Sequence, residues 1–253
     1  MKIIVQNLAV EYLDEGAGKT ILLLHGWQDN LRTFDALASF LSETNRVVRL
    51  DLPGFGQSEI PKETWDLDNY VDFVGNFIQK LNLQVDTLIG HSFGGRIVIK
   101  SASTRNLQPI KIILINSAGI AKNKTLRNSV VKILAKIIGR ITYIPPLVFW
   151  KEKWRKKIYE SIGSDYLNAG AMKETFLKII AEDLRSSAQK ISLPTLLIWG
   201  ADDTETPLSD GKTLSRLIPN SKLEIINGAG HFAHQEKPKE TAKMIQEFSR
   251  VLL

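Results

Sequence analysis

A serine, an aspartate and a histidine that together can carry out acyl transfer stand in glycine-rich contexts along this chain. Ser92 has one glycine two residues before it and another two residues after it, Asp203 lies three residues after a glycine, and His231 directly follows one. A serine hydroxyl is a weak nucleophile near neutral pH, and it becomes reactive when a histidine accepts its proton and a carboxylate orients that histidine. These three residues therefore form a candidate catalytic triad.

The spacing of the glycines around Ser92 is typical of a sharp turn from a strand into a helix. Residues 85–89 form an apolar run that predicts a buried strand, and a helical pattern begins at Gly94. So sharp a turn strains the serine backbone, and side chains at positions 90 and 94 would collide with the neighbouring strand and helix. We therefore expect the Ser92 hydroxyl to project above the sheet edge, beside a helix N-terminus that favours negative charge.

Strand and helix patterns alternate along most of the sequence. Apolar or alternating segments predict strands at residues 2–6, 8–13, 20–24, 47–50, 85–89, 110–115, 194–199 and 222–226. Helical patterns follow at residues 34–41, 67–81, 94–104, 208–217 and 237–252. Alternation of this kind favours a mostly parallel sheet that is covered by helices on both faces. We therefore predict an α/β fold with a mostly parallel, eight-stranded sheet.

The alternation is interrupted between residues 119 and 190, where helical patterns predominate. Residues 122–141 predict an amphipathic helix, and residues 147–162 and 165–182 predict further helices. We expect a core formed by residues 1–118 and 191–253 and an inserted α-helical cap formed by residues 119–190.

Polar, glycine-rich loops follow four of the predicted strands, at residues 25–30, 90–95, 200–207 and 228–232. In open α/β sheets, ligands bind outside the carboxyl ends of the strands. We therefore expect the candidate triad to assemble at that edge. Asp202 precedes Asp203 in the same loop, and the residues by themselves leave either aspartate open as the acid.

Five motifs in this order resemble those of the α/β-hydrolase fold family. They are His25-Gly26-Trp27, Pro53-Gly54-Phe55-Gly56-Gln57-Ser58, Gly90-His91-Ser92-Phe93-Gly94-Gly95, Gly200-Ala201-Asp202-Asp203 with Pro207, and Gly230-His231-Phe232. The resemblance extends from the first strand to the last helix, with a cap inserted after the sixth strand. The family places its acid three residues after this glycine and four before the proline, which implies Asp203 as the acid, with Ser92 as nucleophile and His231 as base.

The resemblance also implies a function. The backbone N–H groups of Trp27 and Phe93 would form an oxyanion hole, and Gln28 and Phe232 would line a substrate pocket beneath apolar cap residues. The protein would be a serine hydrolase that cleaves a carboxylic ester, or a related acyl bond, of a small and mostly apolar substrate through an acyl-enzyme. Two alternatives remain open: a non-catalytic or slow-turnover small-ligand receptor on the same fold, and a hydrolase of a carbon–carbon bond in a dienoic diketone.

Other chemistries are not expected from the residues present. Epoxide hydrolases and haloalkane dehalogenases of this fold need an aspartate nucleophile where this chain has Ser92. No spacing of histidines and carboxylates suggests a metal, and no glycine-rich dinucleotide motif opens a helix after the first strand. We therefore expect neither a cofactor nor a metal.

The composition and charge of the chain indicate which partners and which cellular location to expect. The chain has 253 residues, no cysteine and a net charge of +6. Eleven lysines and arginines and two glutamates give residues 122–160 a net charge of +9, so the other residues sum to −3. We expect this basic segment to be weakly attracted to anionic surfaces, and we expect no nucleic-acid partner because no recognised module is present. No segment is typical of a signal peptide or a membrane span, which favours a cytoplasmic protein, and the oligomeric state stays open.

Overall fold

The computed structural model describes residues 1–104, 107–121 and 169–251. Within them, the strands are β1 (Lys2–Val5), β2 (Leu8–Glu15), β3 (Thr20–Leu24), β4 (Arg46–Leu50), β5 (Val85–His91), β6 (Lys111–Ile115), β7 (Thr195–Gly200) and β8 (Ser221–Ile226). They form one eight-stranded sheet in the order β1-β2-β4-β3-β5-β6-β7-β8. The pairs β1–β2 and β2–β4 are antiparallel and the other five are parallel. The predicted mostly parallel, eight-stranded sheet is confirmed.

Helices connect these strands along the described chain. They are α1 (Asp35–Leu41), α2 (Leu67–Lys80), α3 (Phe93–Thr104), α4 (Lys173–Ala181), α5 (Arg185–Ala188), α6 (Leu208–Leu217), α7 (Ala233–Glu236) and α8 (Pro238–Val251). Short 3₁₀ turns precede α1 and α4. The helices predicted at 122–141 and 147–162, and the basic segment 122–160, lie outside the described residues. Among the helices that the structure describes, none combines the length and the apolar character that crossing a bilayer requires.

The central strands are buried on both faces because their side chains are continuously apolar. In β3, Leu22 and Leu24 pack with residues of α2 and α3 on one face of the sheet, whereas Ile21 and Leu23 pack with residues of α1 and α8 on the other. The sheet is therefore fixed from both sides. The loops that follow β3, β5, β7 and β8 leave it at one edge, because these strands are parallel to one another.

The described part of the expected cap is attached to α3, the helix that follows Ser92. Arg96 of α3 is buried, and its guanidinium donates hydrogen bonds to the backbone oxygens of Ile179 (2.6 Å) and Glu182 at the C-terminal end of α4. A cation at this helix end is favourable because the last backbone carbonyls have no partner within the helix. Lys100, one helical turn further along α3, forms an ion pair of 2.7 Å with the Glu182 carboxylate. Helix α4 is thereby held over the sheet edge at which the loops meet.

Candidate active site

The turn that carries Ser92 has the geometry expected from its sequence. Strand β5 ends at His91 and helix α3 begins at Phe93, so Ser92 alone makes the turn. Its φ angle is +49°, in the left-handed region that a non-glycine residue adopts only when its surroundings enforce it. The Ser92 N–H donates to the backbone oxygen of Ile115 (3.2 Å), and the Gly94 N–H donates to that of His25 (3.0 Å). Neighbouring strand ends therefore hold the strained turn in place.

The two glycines that flank Ser92 are required by close backbone contacts. A Cβ atom on Gly90 would lie 2.5 Å from the backbone carbonyl carbon of Gly94. A Cβ atom on Gly94 would collide with the backbone oxygen of Leu24 and would lie 2.8 Å from that of His25. Backbone atoms in the middle of a buried sheet have little room to move aside. The steric reason inferred from the sequence is confirmed at both positions.

Asp203 and His231 are in direct contact. The Nδ1 atom of His231 lies 3.0 Å from Oδ2 of Asp203, and the side chains are 7% and 0% exposed. A carboxylate can only accept, so Nδ1 carries a proton, and the lone pair of the neutral form of the ring is then on Nε2. This tautomer is the one that a general base in a serine hydrolase needs.

The Asp203 carboxylate is saturated with donors. Its Oδ2 also accepts from Nδ2 of Asn116 (2.5 Å) and from Oγ1 of Thr206 (2.7 Å), and its Oδ1 accepts from the backbone N–H groups of Glu205 (2.8 Å) and Thr206 (3.0 Å). Burial by itself would raise the pKa of Asp203, but the hydrogen bonds from His231, Thr206 and Asn116 outweigh burial and lower the pKa to about 2. The carboxylate is therefore charged throughout the neutral range.

Asn116 and Thr206 are functional candidates that the sequence did not show in this role. Asn116 is the first residue after β6. In the structure Asn116 is buried with a φ angle of +44°, and its amide is aimed at the carboxylate. The sequence feature that could identify Asn116 is a polar residue at the carboxyl end of a buried strand, next to the strand that carries the acid.

Two neutral histidines pack behind His231. The ring centroid of His91 lies 4.9 Å from that of His231 and 4.4 Å from that of His234. Burial, followed by the neighbouring imidazoles, lowers the pKa of His91 well below its ordinary value, and burial lowers the pKa of His234 to about 3. The Nε2–H of His91 donates to the backbone oxygen of His231 (3.0 Å). The residue that precedes Ser92 therefore fixes the backbone of His231 without adding positive charge beside it.

The other edge of the His231 ring lies beside a second carboxylate. Its Nε2 lies 3.5 Å from Oε2 of Glu205, whose side chain is 61% exposed. Within the described residues no hydrogen bond joins Nε2 to Ser92 Oγ. Such bonds often form only when substrate is bound. Phe232, predicted to line the pocket, lies against the same ring with a centroid separation of 5.3 Å.

The predicted oxyanion-hole residues lie on two loops that meet beside Ser92. Phe93 is the first residue of α3, so its N–H has no acceptor within the helix. Gly26 precedes Trp27 and packs against the elbow, since a Cβ atom at Gly26 would lie 3.4 Å from Cβ of Ser92. His25 holds this loop in place: its Nδ1–H donates to the Gly26 oxygen (2.7 Å), and its Nε2 accepts from the backbone N–H of Leu52 (2.9 Å). The Trp27 backbone is thereby held close to the nucleophile.

An aromatic cluster surrounds the Trp27 side chain. Its indole lies 4.8 Å from the ring of Phe55, 5.5 Å from that of Phe93 and 5.0 Å from that of Phe176 on α4, between ring centroids. The indole N–H is buried and has no partner among the described residues. The expected apolar surface therefore includes a buried hydrogen-bond donor to which no described residue binds. Gln28, also predicted to line the pocket, is exposed with a φ angle of +55°.

Comparison with known proteins decides the family. A model described as "Alpha/beta hydrolase family" matches residues 21–244. The chain belongs to the alpha/beta hydrolase family.

Proteins similar to this alpha/beta hydrolase include a monoacylglycerol lipase and a phospholipase A. It is 28% identical to the AB hydrolase superfamily protein YisY of Bacillus subtilis (strain 168) over 250 residues, covering 93% of each chain. It is 25% identical to the monoacylglycerol lipase ABHD6 of Homo sapiens over 257 residues, covering 92% of this chain and 76% of that protein. A solved structure of a membrane phospholipase A, described as a bacterial virulence factor, is 26% identical with a TM-score of 0.77, covering 99% of this chain and 85% of that one.

The hydrolase therefore brings the predicted residues to one edge of its sheet. Asp203 and His231 are hydrogen-bonded to each other. Ser92 lies in the elbow, where His91, the residue before it, donates a hydrogen bond to the His231 backbone. Asp202, the other candidate acid, is exposed, and its backbone N–H donates to the Ala229 oxygen (2.9 Å). The catalytic roles themselves, the oxyanion hole and the pocket stay predictions.

Proposed function

We propose that this protein is a serine hydrolase that cleaves a carboxylic ester, or a related acyl bond, of a small and mostly apolar substrate. The observation that carries the proposal is the pairing of His231 with a fully hydrogen-bonded Asp203 at the sheet edge where Ser92 is held in its elbow. The fixed carboxylate leaves the Nε2 lone pair of His231 free to act as a base.

The reaction begins with attack of Ser92 Oγ on the substrate carbonyl carbon. His231 Nε2 takes the hydroxyl proton as the new C–O bond forms, and then gives it to the leaving alcohol as the ester bond breaks. Asp203 stays ionised because its pKa is held at about 2, and its charge stabilises the imidazolium while that proton is on the ring. Water, activated by His231 in the same way, then hydrolyses the acyl-enzyme and restores Ser92.

Negative charge on the carbonyl oxygen would be stabilised by the backbone N–H groups of Phe93 and Trp27. Each such donor contributes about 3–4 kcal/mol at the transition state of acyl transfer. The position of Phe93 at the start of α3 supports this role, since the N-terminus of a helix favours negative charge. The packing of Gly26 against Ser92 supports the role of Trp27, the next residue.

The aromatic cluster around Trp27 supports an apolar acyl group as the substrate's larger part. Phe55, Phe93 and Phe176 pack around Trp27 next to the elbow, and an acyl chain buried among such rings gains roughly 0.8 kcal/mol per CH₂. The monoacylglycerol lipase and phospholipase A among the compared proteins also support an acyl ester. The basic segment 122–160 would add a weak, salt-screened attraction to anionic surfaces.

The test combines covalent labelling with turnover. Wild-type protein and the Ser92→Ala variant are incubated with a fluorophosphonate probe and assayed with 4-nitrophenyl esters of graded acyl length. We expect labelling and hydrolysis of the wild type, a KM that falls as the acyl chain lengthens, and neither labelling nor hydrolysis in Ser92→Ala.

Two outcomes would replace the proposal with an alternative. Binding of the esters without turnover by wild type would favour a small-ligand receptor. Turnover of a dienoic diketone at a much higher kcat/KM than any ester would favour a carbon–carbon bond hydrolase. Labelling that persists in Ser92→Ala would remove Ser92 as the nucleophile.

A further inference from the structure

Two carboxylates from one loop flank the His231 ring, one at each nitrogen. Asp203 lies 3.0 Å from Nδ1 with a fully buried side chain, and Glu205 lies 3.5 Å from Nε2 with a side chain that is 61% exposed. The two are linked, because the backbone N–H of Glu205 donates to Oδ1 of Asp203 (2.8 Å). The hydrogen bond that orders the acid therefore also fixes the backbone from which the Glu205 carboxylate extends toward Nε2.

The charge of Glu205 has no counterion in the described part of the chain. No lysine or arginine of residues 1–104, 107–121 and 169–251 lies within ion-pair distance of it. The neighbouring His91 and His234 are neutral because burial lowers the pKa of both. The Asp203 carboxylate accepts hydrogen bonds from Nδ1 of His231 and from its other donors, and not from Nε2. Glu205 is therefore the charged side chain that Nε2 faces.

In the proposed reaction, on which this inference rests, Nε2 gives its proton to the leaving oxygen or sulfur atom. That atom must come within hydrogen-bond distance of Nε2. The rest of the leaving group then lies within a few ångströms of the Glu205 carboxylate. The acyl group, in contrast, lies toward the aromatic cluster around Trp27.

We propose that Glu205 selects the leaving group, so that this hydrolase prefers esters whose alcohol or thiol part is cationic or carries hydroxyl groups over esters whose leaving part is anionic. A cation is attracted to the carboxylate, and a hydroxyl group can donate a hydrogen bond to it. An anionic group meets a like charge that no described cation neutralises. Because Glu205 is largely exposed, solvent screens these effects to about tenfold in kcat/KM.

The experiment uses four thioesters that share a butyryl group and differ only in the thiol. The thiols are thiocholine, which is cationic, thioglycerol, which carries hydroxyl groups, propanethiol, which is neutral and apolar, and mercaptoethanesulfonate, which is anionic. One thiol-reactive chromogenic disulfide detects all four products, so the kcat/KM values are directly comparable. Wild type is compared with Glu205→Gln, which keeps the side-chain shape and the backbone hydrogen bond to Asp203.

The readout is the ratio of kcat/KM for the cationic thioester to that for the anionic one. We expect Glu205→Gln to lower this ratio about tenfold, and raised ionic strength to reduce the difference between the wild-type and variant ratios. A general change in His231 or in the acyl site affects all four substrates equally and cancels in the ratio. The hydroxylated-to-apolar ratio should fall less, because the glutamine side-chain oxygen still accepts a hydrogen bond.

Asp202→Asn is the matched control, since it removes one carboxylate from the same loop at an exposed position. We expect its ratio to stay within about twofold of wild type. An unchanged ratio in Glu205→Gln, or an equal fall in Asp202→Asn, would overturn the role of Glu205 while thiol release that depends on Ser92 still supports the hydrolase. A wild type that releases no thiol from any substrate and takes no fluorophosphonate label would instead overturn the proposed function and this inference with it.

Discussion

The nucleophile elbow and the acid loop reach the same edge of the sheet but are held in opposite ways. The elbow, residues 90–95, depends on side chains that are missing, because Cβ atoms at Gly90 and Gly94 would meet backbone atoms. The acid loop, residues 200–207, depends on side chains that are present, because Asn116 and Thr206 saturate the Asp203 carboxylate. The elbow therefore requires the absence of side chains at two positions, whereas the acid loop requires side-chain donors.

This difference determines how each part should fail. Steric exclusion is all-or-none, so a single added methyl group in the elbow should destabilise the fold itself. Hydrogen bonds to a buried charge can be removed one at a time, and each loss should lower activity by a limited factor while the fold persists. The following predictions test that contrast.

The largest effect is expected from Asp203→Asn. The amide cannot stabilise a charged imidazolium and can hold His231 in the wrong tautomer, so kcat should fall by about 10⁴. Steady-state kinetics with a neutral ester measure the effect. The neighbouring Asp202→Asn serves as the control and should change kcat little, since Asp202 is exposed. If Asp202→Asn is the damaging change, the acid has been assigned to the wrong aspartate.

The next effect is on stability. Gly94→Ala should lower the free energy of unfolding by about 3 kcal/mol, because its methyl group meets the backbone oxygens of Leu24 and His25. Gly75→Ala is the matched control: this glycine lies inside α2, and its added Cβ would have Leu107 as its nearest neighbour at 3.4 Å. Gly75→Ala should raise the free energy of unfolding by roughly 0.5–1 kcal/mol.

Urea unfolding monitored by circular dichroism separates the two glycine variants. Opposite signs for Gly94→Ala and Gly75→Ala would support a steric origin for the elbow. A neutral Gly94→Ala would mean that the surrounding backbone gives way, and that the glycine spacing around Ser92 is not a steric requirement.

The same contrast explains what the sequence could predict. The elbow is local: one apolar run, two glycines and a helical pattern suffice to place Ser92, and both the turn and its steric cause are confirmed. The strand pattern likewise predicted the eight strands and their mostly parallel pairing. Where backbone atoms leave no room for a Cβ atom, only glycine fits, so this requirement is visible in the sequence.

The partners of the acid leave no such signature. Asn116 lies 87 positions from Asp203 in the chain, and the two become neighbours only because β6 pairs with β7. The strand order was not predicted, so the contact could not be. The sequence does not predict the position of Glu205 either, because the direction of its side chain depends on the conformation of the acid loop. Several residue types can donate to a carboxylate, so the sequence does not single these out.

The pH dependence of stability tests whether the hydrogen bonds to Asp203 act in the folded state. The pKa of Asp203 is lowered from 3.8 to about 2, so as the pH falls below 4 the unfolded chain takes up a proton before the folded protein does. The stabilisation is fully present above pH 4 and is lost toward pH 2, by about 2 kcal/mol in total.

The measurement for this prediction is the difference in unfolding free energy between wild type and Asp203→Asn. It should fall as the pH is lowered from 5 toward 2.5, because the asparagine does not titrate in this range. The comparison with one variant cancels the titration of the other carboxylates. A difference that stays constant over this range would show that the donors do not stabilise the charge in the folded state.

The smallest effect is expected from Asn116→Gly. Glycine tolerates the φ angle of +44° at this position, so the substitution removes the amide without adding backbone strain. Loss of one hydrogen bond to a carboxylate that keeps its other donors should lower kcat about tenfold, equivalent to about 1.4 kcal/mol, with KM nearly unchanged. Asn82→Gly is the matched control, since Asn82 has a φ angle of +49° in an exposed loop.

Kinetics of Asn116→Gly and Asn82→Gly decide whether the Asn116 amide orients Asp203 or merely fills space. A tenfold loss confined to Asn116→Gly would place Asn116 with Thr206 among the residues that position Asp203, and Asn116→Asp should then be worse than glycine, because it sets a second carboxylate against the first. A silent Asn116→Gly would leave Thr206 and the backbone N–H groups as sufficient donors. The Asp203 carboxylate would then be held toward His231 by donors of its own loop, without help from the end of β6.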